Sequence, residues 1–410
     1  MSKSSETEKE VPSLWQYVPI ADYNLPAEPV PHAAKKRLLS LRQLLRLDKQ
    51  EAASPLKTDD DLLKLPHWQL KRIAPALDWR SAGETLGDHL QDWLEQDNPD
   101  QPVIVLVGPP YSGHAAILTA WAEQERWPRL NSPTTEQILA DDDDWLSEQY
   151  ESNGRWVFPH LEKAYLRQAA GLSLIRRFLD CAFSGDLGHG IIGCDSWAWA
   201  FLSRVWQRHQ IVPLTLQAWH QEQLNRLIQT TAVLSDNRQI AFRQSDNGHY
   251  LFPPPDTDEA ENSVELSNFL QLLAAYSRGN LGVAWSIWQN SLQAEPDESL
   301  DEDIAEEDQQ LPQQTIWVPP WDQLQQLTLP PDVGRDQAFV LHALLLHNGL
   351  PLTLLQQLLP LSPSQTAETI FQLKAAELIV VEDKGLRVSP RGYPAVRQFL
   401  KSNGYLVDQF

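Results

Sequence analysis

Two glycines in the spacing G-x-x-x-x-G stand between an apolar β-branched run, Val103 to Val107, and the helical pattern AAILTAWAEQ. The loop reads Gly108, Pro109, Pro110, Tyr111, Ser112, Gly113, His114 and Ala115. A glycine loop that leaves a strand and opens a helix is the setting in which G-x-x-x-x-G-K-[ST] cradles phosphates. Its backbone amides can hold an anion at a helix N-terminus whatever the side chains are. The two side chains that do more are replaced. His114 stands where the lysine would reach the β- and γ-phosphates, and Ala115 stands where a hydroxyl would ligate Mg2+. An imidazole with an ordinary pKa of about 6.5 is shorter than lysine and largely neutral at pH 7.

The elements that must position this loop follow from periodicity. Four further segments share the apolar strand character: one near Arg129 to Asn131, RWVFP at Arg155 to Pro159, GIIGC at Gly190 to Cys194, and VPLTLQ at Val212 to Gln217. Between them lie AAILTAWAEQ, LEKAYLRQAAGLSLIRRFLDCAF and SWAWAFLSRVWQRH, all of helical pattern. Strands alternating with helices predict an α/β fold of three layers, a mainly parallel sheet with helices on both faces.

Around this core, residues 73–232, the sequence predicts an extended arm over 1–32 and a helical segment over 33–72. The latter carries a basic amphipathic helix from Ala33 to Leu47. Asn247-Gly248 between strand-like runs predicts a β-hairpin insertion over 233–262. A helical lid is expected over 263–293. The acidic run EPDESLDEDIAEED from Glu295 reads as a disordered linker, with a transition, over 294–334. From 335 to 410, three helical patterns and two strands around a tight turn are the elements of a winged-helix domain.

With GPPYSGHA, two more segments carry a resemblance. RGNLGVAWSIWQNSL, Arg278 to Leu292, is similar to a lid in which a glycine-asparagine turn precedes a helix, and VPLTLQAWHQEQLNRLI looks like a fifth strand leading into that lid. On these motifs the chain resembles P-loop ATPases of the AAA+/STAND type, close to the origin-recognition and cell-division-control initiator branch, over roughly Ile73 to Leu292. The resemblance implies an Asp-Glu pair at the end of the third strand. Here RWVFPHLEK puts Pro159 and His160 at the metal-holding acid, leaving Glu162 as a candidate base; a glutamate favouring a helix N-terminus is the structural alternative. It also implies a γ-phosphate sensor at Asp195 or Ser196, either of which could equally cap the next helix, and a lid arginine on phosphate at Arg278, which beside Gly279 could equally be a charge at a helix C-terminus. Arg167, Arg176 and Arg177, read as lying on one helix, are candidates for a trans-acting finger, with solvated or acid-paired arginines as the alternative.

Lysine, hydroxyl and metal-binding acid are missing together, and phosphoryl transfer depends on the positioning and charge neutralisation they supply. The expectation is a pseudo-ATPase acting as a regulatory or scaffold subunit, beside an active paralogue or a second copy of itself. ATP or ADP would bind weakly, through loop amides and without Mg2+. A nucleotide-binding switch and a DNA-associated initiator-like protein are the alternatives.

Composition bounds these readings. The 410 residues carry 33 basic and 55 acidic side chains, a net charge of −22 that repels nucleic acid unless basic residues are segregated. The candidate recognition helix SPSQTAETIFQLKAAEL presents Glu368, Lys374 and Glu377, not the basic surface a groove reader needs. Lys384, Arg387, Arg391 and Arg397 on the wing side keep a nonspecific contact open. Cys181 and Cys194 fit a reducing compartment rather than a disulfide scaffold or zinc site. With no leader-like apolar run, a cytoplasmic protein is expected, and the basic helix over 33–47 offers a peripheral membrane contact. The 16 tryptophans are expected as packing and interface anchors.

Overall fold

The computed structural model describes residues 13–27, 56–58, 61–96, 101–150, 154–207, 211–233, 240–253, 266–296, 314–331, 333–382 and 385–410. The basic helix expected at Ala33 to Leu47, the acidic run beyond Pro296 and Lys384 lie outside the described residues. The strands are β1 (Tyr17–Pro19), β2 (Leu63–Lys64), β3 (Val103–Gly108), β4 (Arg155–Phe158), β5 (His189–Asp195) and β6 (Leu214–Leu216). They continue with β7 (Ile240–Gln244), β8 (Gln293–Ala294), β9 (Gln314–Val318), β10 (Ile379–Glu382) and β11 (Gly385–Val388). Helices of the first half are α1 (His67–Ile73), α2 (Arg80–Leu94), α3 (His114–Glu125), α4 (Thr135–Ala140), α5 (Asp143–Tyr150), α6 (Ser173–Ser184) and α7 (Ser196–Val205). The second half adds α8 (Gln221–Val233), α9 (Phe269–Tyr276), α10 (Leu281–Ser291), α11 (Arg335–Leu346), α12 (Leu352–Leu358), α13 (Pro363–Ala375) and α14 (Tyr393–Ser402).

The central sheet runs β1-β6-β3-β5-β4, parallel except for the edge strand β1, and an isolated parallel bridge from Arg129 to Val157 extends it past β4. Its strands are buried on both faces, as a parallel sheet requires. Val103, Val105 and Val107 pack with Trp156, Phe158, Ile192 and the α6 residue Phe178. On the other face, Leu106, Val157 and Ile191 pack with Leu86 of α2 and with Ile117 and Trp121 of α3. The three-layer α/β expectation therefore holds, and the parallel register from Val103–Gly190 to Gly108–Asp195 brings the ends of β3 and β5 side by side.

Several elements differ from the sequence reading. The arm is docked: β1 pairs antiparallel with β6, Trp15, Tyr17 and Ile20 are buried, and the Tyr17 hydroxyl donates to Ala82 O at 2.8 Å. A three-residue strand is too short to show a period. The long helical pattern after Pro159 is broken into a 3-10 turn at Leu161–Lys163, a second at Ala169–Gly171, and α6. Leu166 N–H donates to Gly171 O and Gly171 N–H to Gln168 O, which closes the chain on itself. Arg167 thus lies off the helix that carries Arg176 and Arg177. Arg167 contacts His342 at 3.2 Å, and Arg177 pairs with Asp141 and Asp143.

The segment read as a hairpin insertion does turn at Asn247-Gly248, with an antiparallel bridge from Arg243 to Tyr250. Its strand β7, however, runs parallel to β9, in a second sheet of order β2-β8-β9-β7. The flanks of the expected linker are therefore strands, joined by pairings too distant in sequence to leave a local signal. Beyond them α11, α12, α13, the β10–β11 hairpin and α14 follow in order. Ser362 caps α13 in a capping box, while Ile370, Leu373 and Leu378 are buried.

Candidate functional site

The loop from Gly108 to Ala115 joins β3 to α3 and opens the N-terminal end of that helix. Pro110, Tyr111 and Gly113 each meet another part of the chain. Asn280 caps α10 by accepting from Val283 N–H, and its amide donates to Pro110 O at 2.6 Å. Tyr111 stands at φ 72°, a left-handed conformation that is rare and strained for an aromatic residue. Its phenol donates to Val388 O in β11, 277 positions away. The Arg387 guanidinium lies 5.3 Å from the centre of its ring. On its other side Gly282 of α10 packs so closely that an added Cβ would stand 2.2 Å from Tyr111 O. At Gly113, φ 84°, an added Cβ would meet the Trp79 ring at 2.4 Å, so an indole covers the loop where its backbone is barest.

Behind the loop the predicted acid and base positions do come together. Glu162 is wholly buried. His160 Nδ1 donates to its Oε1 at 2.9 Å, and Asp195 N–H to its Oε2 at 3.3 Å. Burial would push the Glu162 carboxyl up, but the His160 hydrogen bond and the nearby His114 and His160 outweigh it, so the carboxyl is held below the ordinary range. Asp195 is also wholly buried, and burial together with the Glu162 charge holds its pKa well above the usual value.

His114 is buried too, and desolvation lowers its pKa to about 4 despite Glu162. Its Nδ1 lies 3.4 Å from Ser112 Oγ, and its Nε2 has no partner among the described residues. A neutral, buried ring cannot supply the charge a lysine brings to phosphate. Ala115 brings no hydroxyl, and both oxygens of Glu162 are already bonded.

The sensor and lid positions are occupied from within. Asp195 Oδ1 accepts from Trp197 N–H at 3.0 Å and caps α7, as the structural alternative expected, while its Oδ2 has no partner among the described residues. Ser196 Oγ donates to Asp408 Oδ2 at 2.5 Å. Arg278 donates from Nε at 3.0 Å and Nη2 at 2.7 Å to Phe410 O, and the Tyr23 hydroxyl donates to Arg278 O. The Asp408 carboxylate is completed by Arg397 Nε at 2.9 Å and the Tyr393 hydroxyl at 3.2 Å. Sequence reasoning missed this seat, since Asp408 and Phe410 stand in a short polar-apolar run without motif.

The wing arginines are likewise engaged rather than presented. Arg387 donates to Glu382 Oε2 at 2.8 Å and Asn348 Oδ1 at 2.7 Å, Arg391 pairs with Glu377, and Arg397 is buried against Asp408. Glu368, Lys374 and Glu377 are exposed as expected, joined by Phe371, which is 74 % exposed. Between the Glu162 segment and the β10–β11 hairpin lies a cavity of about 750 Å3 lined by His160, Lys163, His347, Glu382 and Arg387, among others.

No family model matches the sequence, and no curated protein matches it. Among solved structures the chain is similar to the Thermotoga maritima RuvB Holliday junction branch migration motor, at 13% identity and a TM-score of 0.31, over 86% of this chain and 99% of that one. A K64R mutant of the same protein gives 13% identity and a TM-score of 0.32 over the same shares. PCH-2 of C. elegans gives 13% and 0.27 over 57% of this chain and 70% of that one. Likeness at this level says nothing of activity, ligand or partner. Among the described residues no helix is long and apolar enough to cross a membrane.

Proposed function

We propose that the protein is a catalytically silent P-loop NTPase-like body, of AAA+/STAND type, that serves as a regulatory or scaffold subunit through protein contacts. One observation carries this reading: the loop that would hold phosphate is held instead by Asn280, Tyr111 and Val388, and Trp79. The chemistry around it agrees. The lysine position is a neutral buried imidazole, the metal hydroxyl is an alanine, and the surviving glutamate is sealed in hydrogen bonds to His160 and Asp195. Phosphoryl transfer needs charge neutralisation and in-line positioning, and neither has a group to supply it here. Mg2+ has no place in the reading.

Contact rather than DNA binding also suits the C-terminal unit, which we read as a winged helix. Its wing arginines are committed to Glu382, Asn348, Glu377 and Asp408, and its outer helix shows Phe371 beside acids. The partner would be an active paralogue or a second copy.

A nucleotide-responsive switch is the second reading, favoured by two buried polar atoms beside the loop without protein partners, His114 Nε2 and Asp195 Oδ2. Buried polar groups without partners are costly, and a weakly bound ATP or ADP would be one way to satisfy them. The test is steady-state ATP hydrolysis by the full chain with Mg2+. Turnover at the buffer background, unchanged by Glu162→Gln, is expected; Mg2+-dependent turnover lost in E162Q would overturn the proposal. Calorimetric heat with ADP but no turnover would select the switch.

A further inference from the structure

The segment Tyr405–Phe410 sits on the body in the manner of a bound peptide. It has no helix or strand of its own. Side chains of other elements hold its main chain: His342 Nε2 at Leu406 O, Arg397 Nη2 at Asp408 O, and Arg278 at Phe410 O. Its anchors alternate, as in an extended peptide whose successive side chains point to opposite faces. Asp408 and Phe410 are each 4 % exposed, and Gln409 between them is exposed. The Asp408 carboxylate enters a polar pocket of Ser196, Tyr393 and Arg397, and the Phe410 ring meets Tyr23 edge to face at 4.8 Å.

The receiving groups come from five places in the sequence: the arm, the start of α7, the turn before α10, α11 and α14. A seat built from so many elements gathers recognising groups that lie far apart in the sequence. The Arg397–Asp408 pair is buried on both sides, at 5 % and 4 % exposure. Desolvation of such a pair offsets much of its attraction, so a core meant only for stability would be served as well by apolar residues. What the charges add is selectivity for an acid at one position and an aromatic ring two positions on.

We propose that this seat is a peptide-recognition site and that Tyr405–Phe410 is its displaceable internal occupant. The external ligand is a partner protein presenting an Asp-x-aromatic segment. The proposal rests on the reading that this body works by protein contact. Displacement would expose Arg278, Ser196 and Arg397 at once, three recognising groups on separate elements.

The experiment uses the full chain and a fluorescent acetylated hexapeptide, Tyr-Leu-Val-Asp-Gln-Phe, followed by anisotropy. The wild type is expected to bind no probe, because its tethered segment competes at an effective concentration on the order of millimolar. A chain carrying Asp408→Ala and Phe410→Ala is expected to bind it. Replacing the probe's aspartate by alanine should weaken binding at least about tenfold, the worth of a charge-assisted hydrogen bond, and adding Arg397→Gln should abolish it.

Equal binding of the two probes, binding to the wild type as tight as to the double variant, or no binding to a folded double variant overturns the proposal. So does a double variant that cannot fold, since the segment would then be a fixed part of the core. Phe410→Ala alone supplies a milder reading, hydrogen exchange that quickens over 405–410 while the rest of the chain keeps its protection. A wild-type dimer that dissociates in F410A would assign the seat to a second copy and overturn the partner. None of these outcomes involves nucleotide, so ATP turnover would sink the silent-body reading and leave this one standing.

Discussion

The phosphate-type loop and the Asp408 seat lie beside each other, at the paired ends of β3 and β5, and the chain fills them in opposite ways. The loop is braced mainly by neutral groups and by fit: a phenol on a carbonyl with Arg387 over its ring, an amide on a carbonyl, an indole against a glycine. The seat is closed by charge, with guanidinium groups on a carboxylate and a main-chain oxygen. Close packing tolerates no exchange of partner, because any other occupant must clash. Charged anchors tolerate it, because water or another acid can replace what leaves. On the reading proposed above, the difference separates a site turned to structure from one that can still bind.

Acid tests both at once and should give the largest combined effect. His114 lies behind the loop, His342 bonds Leu406 O near the seat, and His347 stands between core and hairpin, and burial lowers each to about 4. A base whose folded pKa lies below its unfolded value gives stability that is fully present above about pH 6.5 and is lost as pH falls toward 4. At pH 5 each should cost about 2 kcal/mol. Glu162, with its pKa lowered, adds to the loss below its ordinary range. Asp195 works the other way, because its raised pKa gives stability at low pH that is lost as pH rises. Urea midpoints at pH 7 and pH 5 measure the sum, and His114→Gln should flatten the dependence; an unchanged slope would remove His114 from the buried set.

Next in size is Gly113→Ala, which combines a left-handed backbone with a methyl in the Trp79 ring. A loss of about 3 kcal/mol is expected, and a neutral result would mean that the indole does not cover the loop. Asp408→Ala should cost less than the roughly 3–5 kcal/mol typical of a broken buried pair, because release of the segment rehydrates Arg397. The full penalty would make the seat as fixed as the loop. Tyr111→Phe is the smallest, about 1 kcal/mol for a buried carbonyl left unpaired, read by chemical denaturation.

The sheet was legible because its strands are contiguous apolar runs set between helical periods, as at Val103–Val107 and Gly190–Cys194. The loop was legible because two glycines mark a strand-to-helix turn, and the capping of α13 by Ser362 follows a local rule. What local pattern could not show is who fills the site. Tyr111 finds Val388 and Arg278 finds Phe410 across more than a hundred positions, and neither pairing leaves a period or a motif. The strands β1, β8 and β9 were missed for the same reason, since each is set by a distant partner. Glu162 carries a related lesson: its position near the end of the third strand was readable, but the burial and hydrogen bonds that take away its freedom were not.

The claim that the chain itself closes the loop is tested most directly by hydrogen exchange of residues 108–115 in the full chain, with and without millimolar ATP and Mg2+. The account predicts slow exchange in the nucleotide-free protein, left unchanged by nucleotide and quickened by Tyr111→Phe. Fast exchange without nucleotide, with protection gained on adding it, would contradict the account and return the loop to phosphate.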